Sequence, residues 1–163
     1  MEFLQHPDVV GLVIGTRTDC MDDEKLEYFS RLSENYYVMI EYGLESTSEQ
    51  TLIGINRGHT VAQAEAMIRK TAAYGLKTGI HLIFGLPGET RQELLGRAGI
   101  ISALPLTTVK FHQLQIVKGT KMAMQYREQP GMFSLFSLDE YISFIVSFIE
   151  RLNPSFVIER FTG

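Results

Sequence analysis

The sequence predicts an α/β fold built from parallel (β/α) repeats. Segments with the apolar or alternating character of β-strands recur along the whole chain, at residues 9–15, 36–46, 76–85, 107–117 and 155–160. Helical patterns lie between them, and the short loops from strand to helix favour parallel pairing through right-handed crossovers. A doubly wound sheet and a (β/α) barrel both satisfy this order. A closed eight-fold barrel needs about 250 residues, so 163 residues could form only part of one.

The first two predicted strands differ in polarity. Residues 9–15 (VVGLVIG) are a continuous apolar, β-branched run, which is typical of a strand buried on both faces. Residues 36–46 (YYVMIEYGLES) alternate instead, so Glu41, Gly43 and Glu45 share one face and apolar side chains occupy the other. The segment between these strands carries a helical apolar stripe, formed by Leu26, Phe29 and Leu32.

The later helices are marked by their ends. Capping boxes predict three helix starts, at Thr60 with Gln63, Thr90 with Glu93, and Ser137 with Glu140. Gly75 supplies a left-handed C-terminal cap for the first of these helices, and Pro105 stops the second. Asn153-Pro154 ends the third helix, and residues 131–136 before it are predicted to be loop.

The composition is that of an ordinary globular chain. A hydrophobic fraction of 45% is ordinary for a soluble globular protein. A net charge of −4 gives no electrostatic case for generic nucleic-acid binding and leaves only a local basic groove open. No apolar run approaches the length of a membrane span and no secretory signal pattern is present, so a cytoplasmic protein without a membrane anchor is expected. The single cysteine, Cys20, excludes an internal disulfide and a metal site built from several thiolates.

Polar residues gather where the predicted strands end. Parallel strands present their carboxyl ends at one rim, and ligands bind at that rim in both candidate architectures. The rim residues are Arg17 and Asp19, then Glu45, Ser46 and Thr47, then GLPGET (85–90), and finally Lys118, Gly119 and Thr120. This concentration predicts a ligand site.

The predicted inner faces of the strands carry charged residues. Glu41 and Glu45 would share an inner face with His81, and unpaired buried carboxylates are costly. A bound ligand or a cation would relieve that cost, and the candidate cations are Arg17 and Lys110. His112 shares a face with Lys110. A strand histidine is most often a hydrogen-bonded core residue, so His81 and His112 stay open between structure and function.

Two further motifs are ambiguous. GLPGET places glycines at a helix N-terminus, but it lacks the lysine and spacing of a Walker A loop, and no dinucleotide fingerprint is present. In NRGHT (56–60), Thr60 is a helix cap, whereas that cap does not require Asn56, Arg57 or His59. These three residues either anchor the helix or lie near the site.

Together, EYGLES, INRGHT and GLKTGIHLIFGLPGET resemble the later half of a radical S-adenosylmethionine (SAM) domain. The resemblance covers roughly residues 9–120 and is to uncharacterised bacterial radical SAM Fe–S oxidoreductases related to the catalytic subunit of Elongator. In that family a TIM-like partial barrel carries a 4Fe–4S cluster on a C-x3-C-x2-C loop. The cluster reduces SAM and releases a 5′-deoxyadenosyl radical. The resemblance implies that this chain is part of such a barrel, truncated at its N-terminal side.

The resemblance also implies a SAM-binding site. ExGLES matches the family's fourth-strand motif, so Glu45, followed by Ser46, is expected at the SAM ribose. HLIFGLPG aligns with the motif G-x-I-x-G-x-x-E, which implies that Ile83 flanks the adenine and that Gly85 lets the backbone approach it. His81 replaces the first glycine of that motif and is a further ribose candidate.

Three more residues are implied at the same site, and the motif also shows a departure. Arg17 would suit the methionine carboxylate or the ribose, and Gln113 with Leu114 would complete the adenine pocket. Gly88 stands where the motif has glutamate, and Glu89 follows one place late.

The largest departure is the absence of C-x3-C-x2-C, since Cys20 alone cannot hold a cluster. Residues 1–163 are therefore expected to form one partial barrel domain, a fragment of a longer protein that is inactive by itself. SAM and the cluster would belong to the parent, and neither is expected to be bound to the fragment. The substrate is unknown, with an RNA base among the candidates. A homodimer through the exposed edge of the first strand is also expected.

Two alternatives use the same residues differently. A metal-dependent barrel hydrolase would place Glu41, Glu45, His81 and His112 around a divalent ion. A non-catalytic α/β interaction module would use the polar rim residues only as caps.

Overall fold

The computed structural model describes residue 4 and residues 6–162, and a parallel sheet is its central feature. The strands are β1 (Gly11–Thr16), β2 (Tyr37–Glu45), β3 (Lys77–Phe84), β4 (Thr108–Gln113) and β5 (Val157–Arg160). The α-helices are α1 (Asp23–Ser33), α2 (Glu49–Gly54), α3 (Val61–Ala73), α4 (Arg91–Ser102), α5 (Lys121–Glu128) and α6 (Leu138–Ile149). Short 3-10 helices cover Thr18–Cys20 and Pro130–Met132.

The order of the strands distinguishes the two predicted architectures. All neighbouring strands pair in parallel, and the sheet order β1-β2-β3-β4-β5 follows the chain without a reversal. Right-handed crossovers that always step in the same direction place their helices on the same face of the sheet. A doubly wound sheet needs a reversal, which these strands do not have. The prediction of a partial (β/α) barrel is therefore confirmed.

One apolar core lies between the sheet and the long helices α1, α3, α4 and α6. Its aromatic centre joins β3 and β4 to α6, with the ring centroids of Phe84 and Phe148 5.0 Å apart and those of Phe111 and Phe148 5.7 Å apart. The buried Tyr42 hydroxyl lies 2.7 Å from the Thr71 hydroxyl of α3. These contacts hold the strand ends in a rigid frame.

The opposite side of the sheet, called the inner face below, carries several polar side chains, and the helices of the core do not pack on it in the part of the chain that the structure describes. Glu41, Gly79 and Thr108 stand side by side in the register, and His81 is level with Lys110. The prediction that residues 9–15 are buried on both faces is wrong, because Val13 is 51% exposed. The reason is that β1 is an edge strand whose inner face has no covering layer. The predicted alternation along β2 is confirmed.

The three predicted capping boxes are present at the starts of α3, α4 and α6. The sequence patterns missed α2 and α5, which are too short to show a clear apolar stripe. The Ser48 and Thr120 side chains cap these helices by accepting hydrogen bonds from backbone N–H groups. The fourth strand ends at Gln113 rather than at residue 117. No helix in the described part of the chain is long and apolar enough to cross a membrane.

Candidate functional site

The end of β2 departs from regular strand geometry. Its register against β3 shifts between Gly43 and Glu45, which marks a β-bulge. Glu45 has a φ of 65°, and the Ser46 N–H donates to the Leu44 carbonyl at 2.8 Å, closing a γ-turn. A γ-turn with positive φ is rare for a non-glycine residue and stores strain, and bulges next to sites re-aim side chains. The turn directs the Glu45 carboxylate over the inner face, where its Oε1 lies above Gly43.

A cavity of about 430 Å³ opens beside this carboxylate. Its lining residues come from the carboxyl ends of β2, β3 and β4 and the segment after β4: Glu45, His81, Ile83, His112, Gln113, Leu114 and Gln115. The volume falls within the range of about 300–1,000 Å³ that is usual for small-molecule sites. The lining combines polar side chains with the aliphatic side chains of Ile83 and Leu114. Such a lining suits a ligand that joins a hydroxylated part to an apolar one.

Glu45 is held by a cation from the loop between α2 and α3. The Arg57 Nη2 atom lies 3.0 Å from Glu45 Oε1, and the two side chains are 20% and 14% exposed. Burial raises the pKa of Glu45, while the nearby Arg57, His81 and His59 act in the opposite direction. The carboxylate is therefore a desolvated group whose charge depends on its neighbours.

Glu41 lies four residues before Glu45 on β2 and has a different environment. The Lys110 ammonium donates to both of its oxygens, at 2.6 and 2.8 Å, and also pairs with Glu159 at 2.9 Å. His81 Nε2 lies 3.3 Å from Glu41 Oε2. Burial favours the neutral acid, but hydrogen bonds from Lys110 and His81 outweigh it and lower the pKa of Glu41. Of the two cations predicted to neutralise these carboxylates, Lys110 pairs with Glu41, whereas Arg17 pairs with Asp19 instead.

The two histidines lie on neighbouring strands, with ring centroids 5.5 Å apart. Burial lowers the pKa of His112, and the nearby His81, Arg160 and Lys110 lower it further. His81 contacts Glu41 and also lines the cavity.

The structure brings Glu45, His81, Ile83, Gln113 and Leu114 together at the cavity, as their predicted role requires, but not the other three residues. Arg17 pairs with Asp19 at the end of β1, with 2.9 Å between Nε and Oδ1. Ser46 is buried and donates to Glu89. Gly85 has a φ of 95° and lies behind Leu114, since a Cβ there would be 3.6 Å from the Leu114 Cβ.

Sequence patterns left Arg57 open between a helix anchor and a site residue, and they gave Glu89 no role. Glu89 is 1% exposed and pairs with Arg97 of α4 at 2.9 Å, while it also accepts from Ser46. Burial raises the pKa of Glu89, and its partners Ser46, Thr51 and Arg97 oppose that rise. This carboxylate connects the loop after β3 to the loop after β2. In the sequence, Glu89 was noticeable as the glutamate that follows one place late in the motif.

The metal-centre alternative finds no matching geometry. Within residues 6–162, no three His, Cys, Asp or Glu side chains are arranged to hold a metal ion. Both oxygens of Glu41 accept from Lys110, which leaves that residue poorly suited as a ligand. Cys20 is exposed and is the only cysteine of the sequence, so the chain by itself does not fit a 4Fe–4S cluster.

Comparisons with known proteins agree with this architecture. The model of the radical SAM superfamily matches residues 3–97, and that of the radical SAM C-terminal domain matches residues 106–163. The uncharacterised protein MJ0486 of Methanocaldococcus jannaschii is 38% identical over 158 residues, which are 96% of this chain and 48% of that protein. The protein YhcC of Escherichia coli is 33% identical over 161 residues, covering 98% of this chain and 52% of YhcC.

A solved structure shares the fold. The archaeal Elp3 of Methanocaldococcus infernus, with an N-terminal deletion, superimposes with a TM-score of 0.78 at 21% identity, over 92% of this chain and 35% of Elp3. The chain spans about half the length of the curated relatives it matches. Because a superfamily model matches more than half of the residues and the relatives cover nearly all of them, this chain belongs to the radical SAM superfamily.

Proposed function

We propose that this chain supplies part of the SAM-binding wall of a longer radical SAM Fe–S protein and binds the adenosine half of SAM. The observation that carries the proposal is the desolvated carboxylate of Glu45, a residue with strained backbone, in the lining of a cavity that also contains Ile83 and Leu114. Strained backbone and perturbed carboxylates concentrate at functional sites. The cluster would be ligated by cysteines that are not among the residues of this chain.

The lining residues fit adenosine chemically. A carboxylate can accept hydrogen bonds from two neighbouring hydroxyls, so Glu45 suits the ribose diol. Ile83 and Leu114 offer aliphatic surface to a flat purine ring, and the Gln113 amide carries both a donor and an acceptor for its edge. His81 adds a ring nitrogen near the ribose position.

The reaction itself depends on the bound groups. In the longer protein, SAM and a cluster held by residues outside this chain would supply radical chemistry. The residues of this chain bind and orient the cofactor: Glu45 holds the ribose, and the aliphatic side chains exclude water from the adenine. Arg17, at the same rim, is proposed to reach the methionine carboxylate, for which its guanidinium would exchange Asp19 for the ligand.

The first experiment reads the gene upstream of codon 1. The proposal predicts an open frame that encodes C-x3-C-x2-C, and it predicts that the full protein, reconstituted anaerobically, forms 5′-deoxyadenosine from SAM. Glu45→Gln should lower the affinity for SAM by about 10- to 100-fold, since a charge-assisted hydrogen bond is lost. Glu34→Gln, at an exposed glutamate of the helical region, is the matched control.

Two results would overturn the proposal. One is a stop codon, or an extension without the cysteines, because no cluster could then be formed by the same polypeptide. The other is a Glu45→Gln protein that binds SAM as tightly as the Glu34→Gln control.

A further inference from the structure

We infer that Arg57 is a positioning residue for Glu45, whose carboxylate it holds in place at the cavity, so that the NRGH segment acts on SAM without touching it. The consequence for SAM rests on the proposed function, whereas the effect on Glu45 does not. Arg57 belongs to the part of the NRGHT motif that helix capping does not use.

The backbone of the α2–α3 loop delivers the guanidinium to the strand. Asn56 follows α2 with a φ of 54°, its N–H donates to the Ile53 carbonyl, and the Arg57 N–H donates to the Leu52 carbonyl. This pair of bonds, with a left-handed residue at the position after the cap, is a Schellman motif, in which asparagine is the common alternative to glycine. The motif reverses the chain and returns Arg57 to β2.

Gly58 completes this turn. It has a φ of 86°, and a Cβ at this position would lie 3.3 Å from the Arg17 guanidinium. The loop therefore packs against the end of β1 as well as β2, which fixes the distance that the Arg57 side chain must span.

The guanidinium then makes three contacts at the bulge. Arg57 Nε and Nη2 both donate to the Gly43 carbonyl, at 3.1 and 2.6 Å, and Nη2 also pairs with Glu45 Oε1. Gly43 leaves room for this pair, because a Cβ would lie 2.5 Å from Glu45 Oε1 and closer still to the guanidinium, so that one of the two side chains would have to shift. Arginine thus bridges the backbone before the bulge and the carboxylate after it, and locks their relative orientation.

Only one oxygen of Glu45 is used by this pair. Arg57 contacts Oε1, and Glu45 also lines the cavity. A ligand hydroxyl in the cavity can approach the carboxylate while Arg57 stays in place. The planar guanidinium fork suits this bridging, whereas a lysine ammonium could supply the charge but not the same set of directions.

The charge of Arg57 also opposes protonation. Burial raises the pKa of Glu45, and Arg57 is the largest of the groups that oppose the rise. The other groups facing Glu45 are His81 of β3 and His59 of the α2–α3 loop. Without Arg57 the pKa of Glu45 rises further, so the carboxylate becomes protonated at a higher pH and can no longer accept from two hydroxyls.

The decisive test follows Glu45 without any ligand. The side-chain carboxyl ¹³C resonance of Glu45 is titrated in the complete chain as wild type, Arg57→Gln, Arg57→Lys and Arg69→Gln, the last at an exposed arginine of α3. We expect the pKa to rise in Arg57→Gln and to stay near the wild-type value in Arg57→Lys and in the control. An unchanged titration in Arg57→Gln would overturn the inference. If Arg57→Gln does not fold, Arg57→Lys decides. A Glu45 pKa near the wild-type value together with a lowered SAM affinity in Arg57→Lys supports the inference. An unchanged SAM affinity in Arg57→Lys contradicts it.

SAM binding supplies the second readout. In Arg57→Gln we expect an affinity lower by on the order of tenfold at neutral pH, with a loss that grows as pH falls, because only ionised Glu45 accepts both hydroxyls. In a Glu45→Gln background, Arg57→Gln should add little, since its effect passes through the missing carboxylate. A full additional loss in the double variant would show that Arg57 acts elsewhere and would contradict the inference.

The two proposals fail in different ways. If the Glu45 titration responds to Arg57 but SAM does not bind to wild-type protein, the proposed function is wrong and the control of Glu45 by Arg57 stands. If SAM binds through Glu45 and Arg57→Gln changes neither titration nor affinity, the proposed function stands and this inference is wrong.

Discussion

Two carboxylates of the same strand face the same side of the sheet and have opposite surroundings. Glu41 lies in regular β2 geometry, 5% exposed, with both oxygens accepting from Lys110. Glu45 follows a bulge in a left-handed conformation and shares one oxygen with Arg57. The pKa of Glu41 is lowered by its hydrogen bonds despite burial, whereas burial raises the pKa of Glu45.

The difference separates a structural charge from a ligand-facing one. A buried carboxylate with a complete set of partners rigidifies the sheet and offers nothing to a ligand. A strained carboxylate with an open side is kept by the fold at a cost in stability, which is typical of binding sites. Stability should therefore depend on the partner of Glu41, and ligand binding on the surroundings of Glu45.

The largest expected effect is on the Glu41 pair. Lys110→Met should lower the free energy of unfolding by about 2–4 kcal/mol, because it leaves a buried carboxylate with only His81 as a partner. The wild-type pKa of Glu41 lies below the usual 4.5, so the stability it contributes is present above that pH and is lost as pH falls through the folded-state value. The difference in the free energy of unfolding between Lys110→Met and wild type should therefore become smaller as the pH is lowered. Urea unfolding across pH measures both effects.

The control for this prediction is Lys118→Met, at an exposed lysine after β4. An equal loss of stability in both variants would contradict the structural role of the Lys110–Glu41 pair. A difference in unfolding free energy between Lys110→Met and wild type that stays constant as Glu41 becomes protonated would also contradict it.

A smaller effect is expected at the glycine between the two carboxylates. Gly43→Ala should cost about 1–3 kcal/mol, because the added methyl group must displace the Arg57–Glu45 pair. Gly15→Ala on β1 is the matched control, since a Cβ there meets no atom within 4 Å. Thermal unfolding and SAM titration of both variants check the prediction. Equal stability and equal SAM affinity for the two would show that the inner face has room at Gly43.

The smallest expected effect on stability is at Glu45 itself. Glu45→Gly removes both the backbone strain and the desolvated charge, so stability should stay within about 1 kcal/mol of wild type while SAM binding is lost. Asn56→Gly, at the other non-glycine residue with positive φ among those described, should also preserve stability but leave SAM binding intact. A loss above about 2 kcal/mol in Glu45→Gly would place Glu45 with Glu41 as a structural charge.

Much of the site could be predicted from strand periodicity and motif resemblance. Alternation placed Glu41, Glu45 and His81 on one face. The register confirms this for Glu41 and His81, and the position of Glu45 Oε1 over Gly43 confirms it for Glu45 despite the bulge. The same reasoning could not separate the roles of the two glutamates, because a bulge moves a side chain without changing the order of residue types. Arg57 was ambiguous for a related reason: its partner is reached through a turn that the sequence marks only by Asn56.

The sequence by itself determined the local features of this protein, namely the strand and helix order, the capping boxes and the polar character of the inner face. These depend on interactions between near neighbours in the chain, which leave periodic signals. The tertiary structure alone decided which cation serves which carboxylate, since Lys110 and Arg57 come from segments 69 and 12 positions away from Glu41 and Glu45. It also decided that β1 is an open edge, because exposure depends on what neighbouring layers cover and not on the apolar run itself.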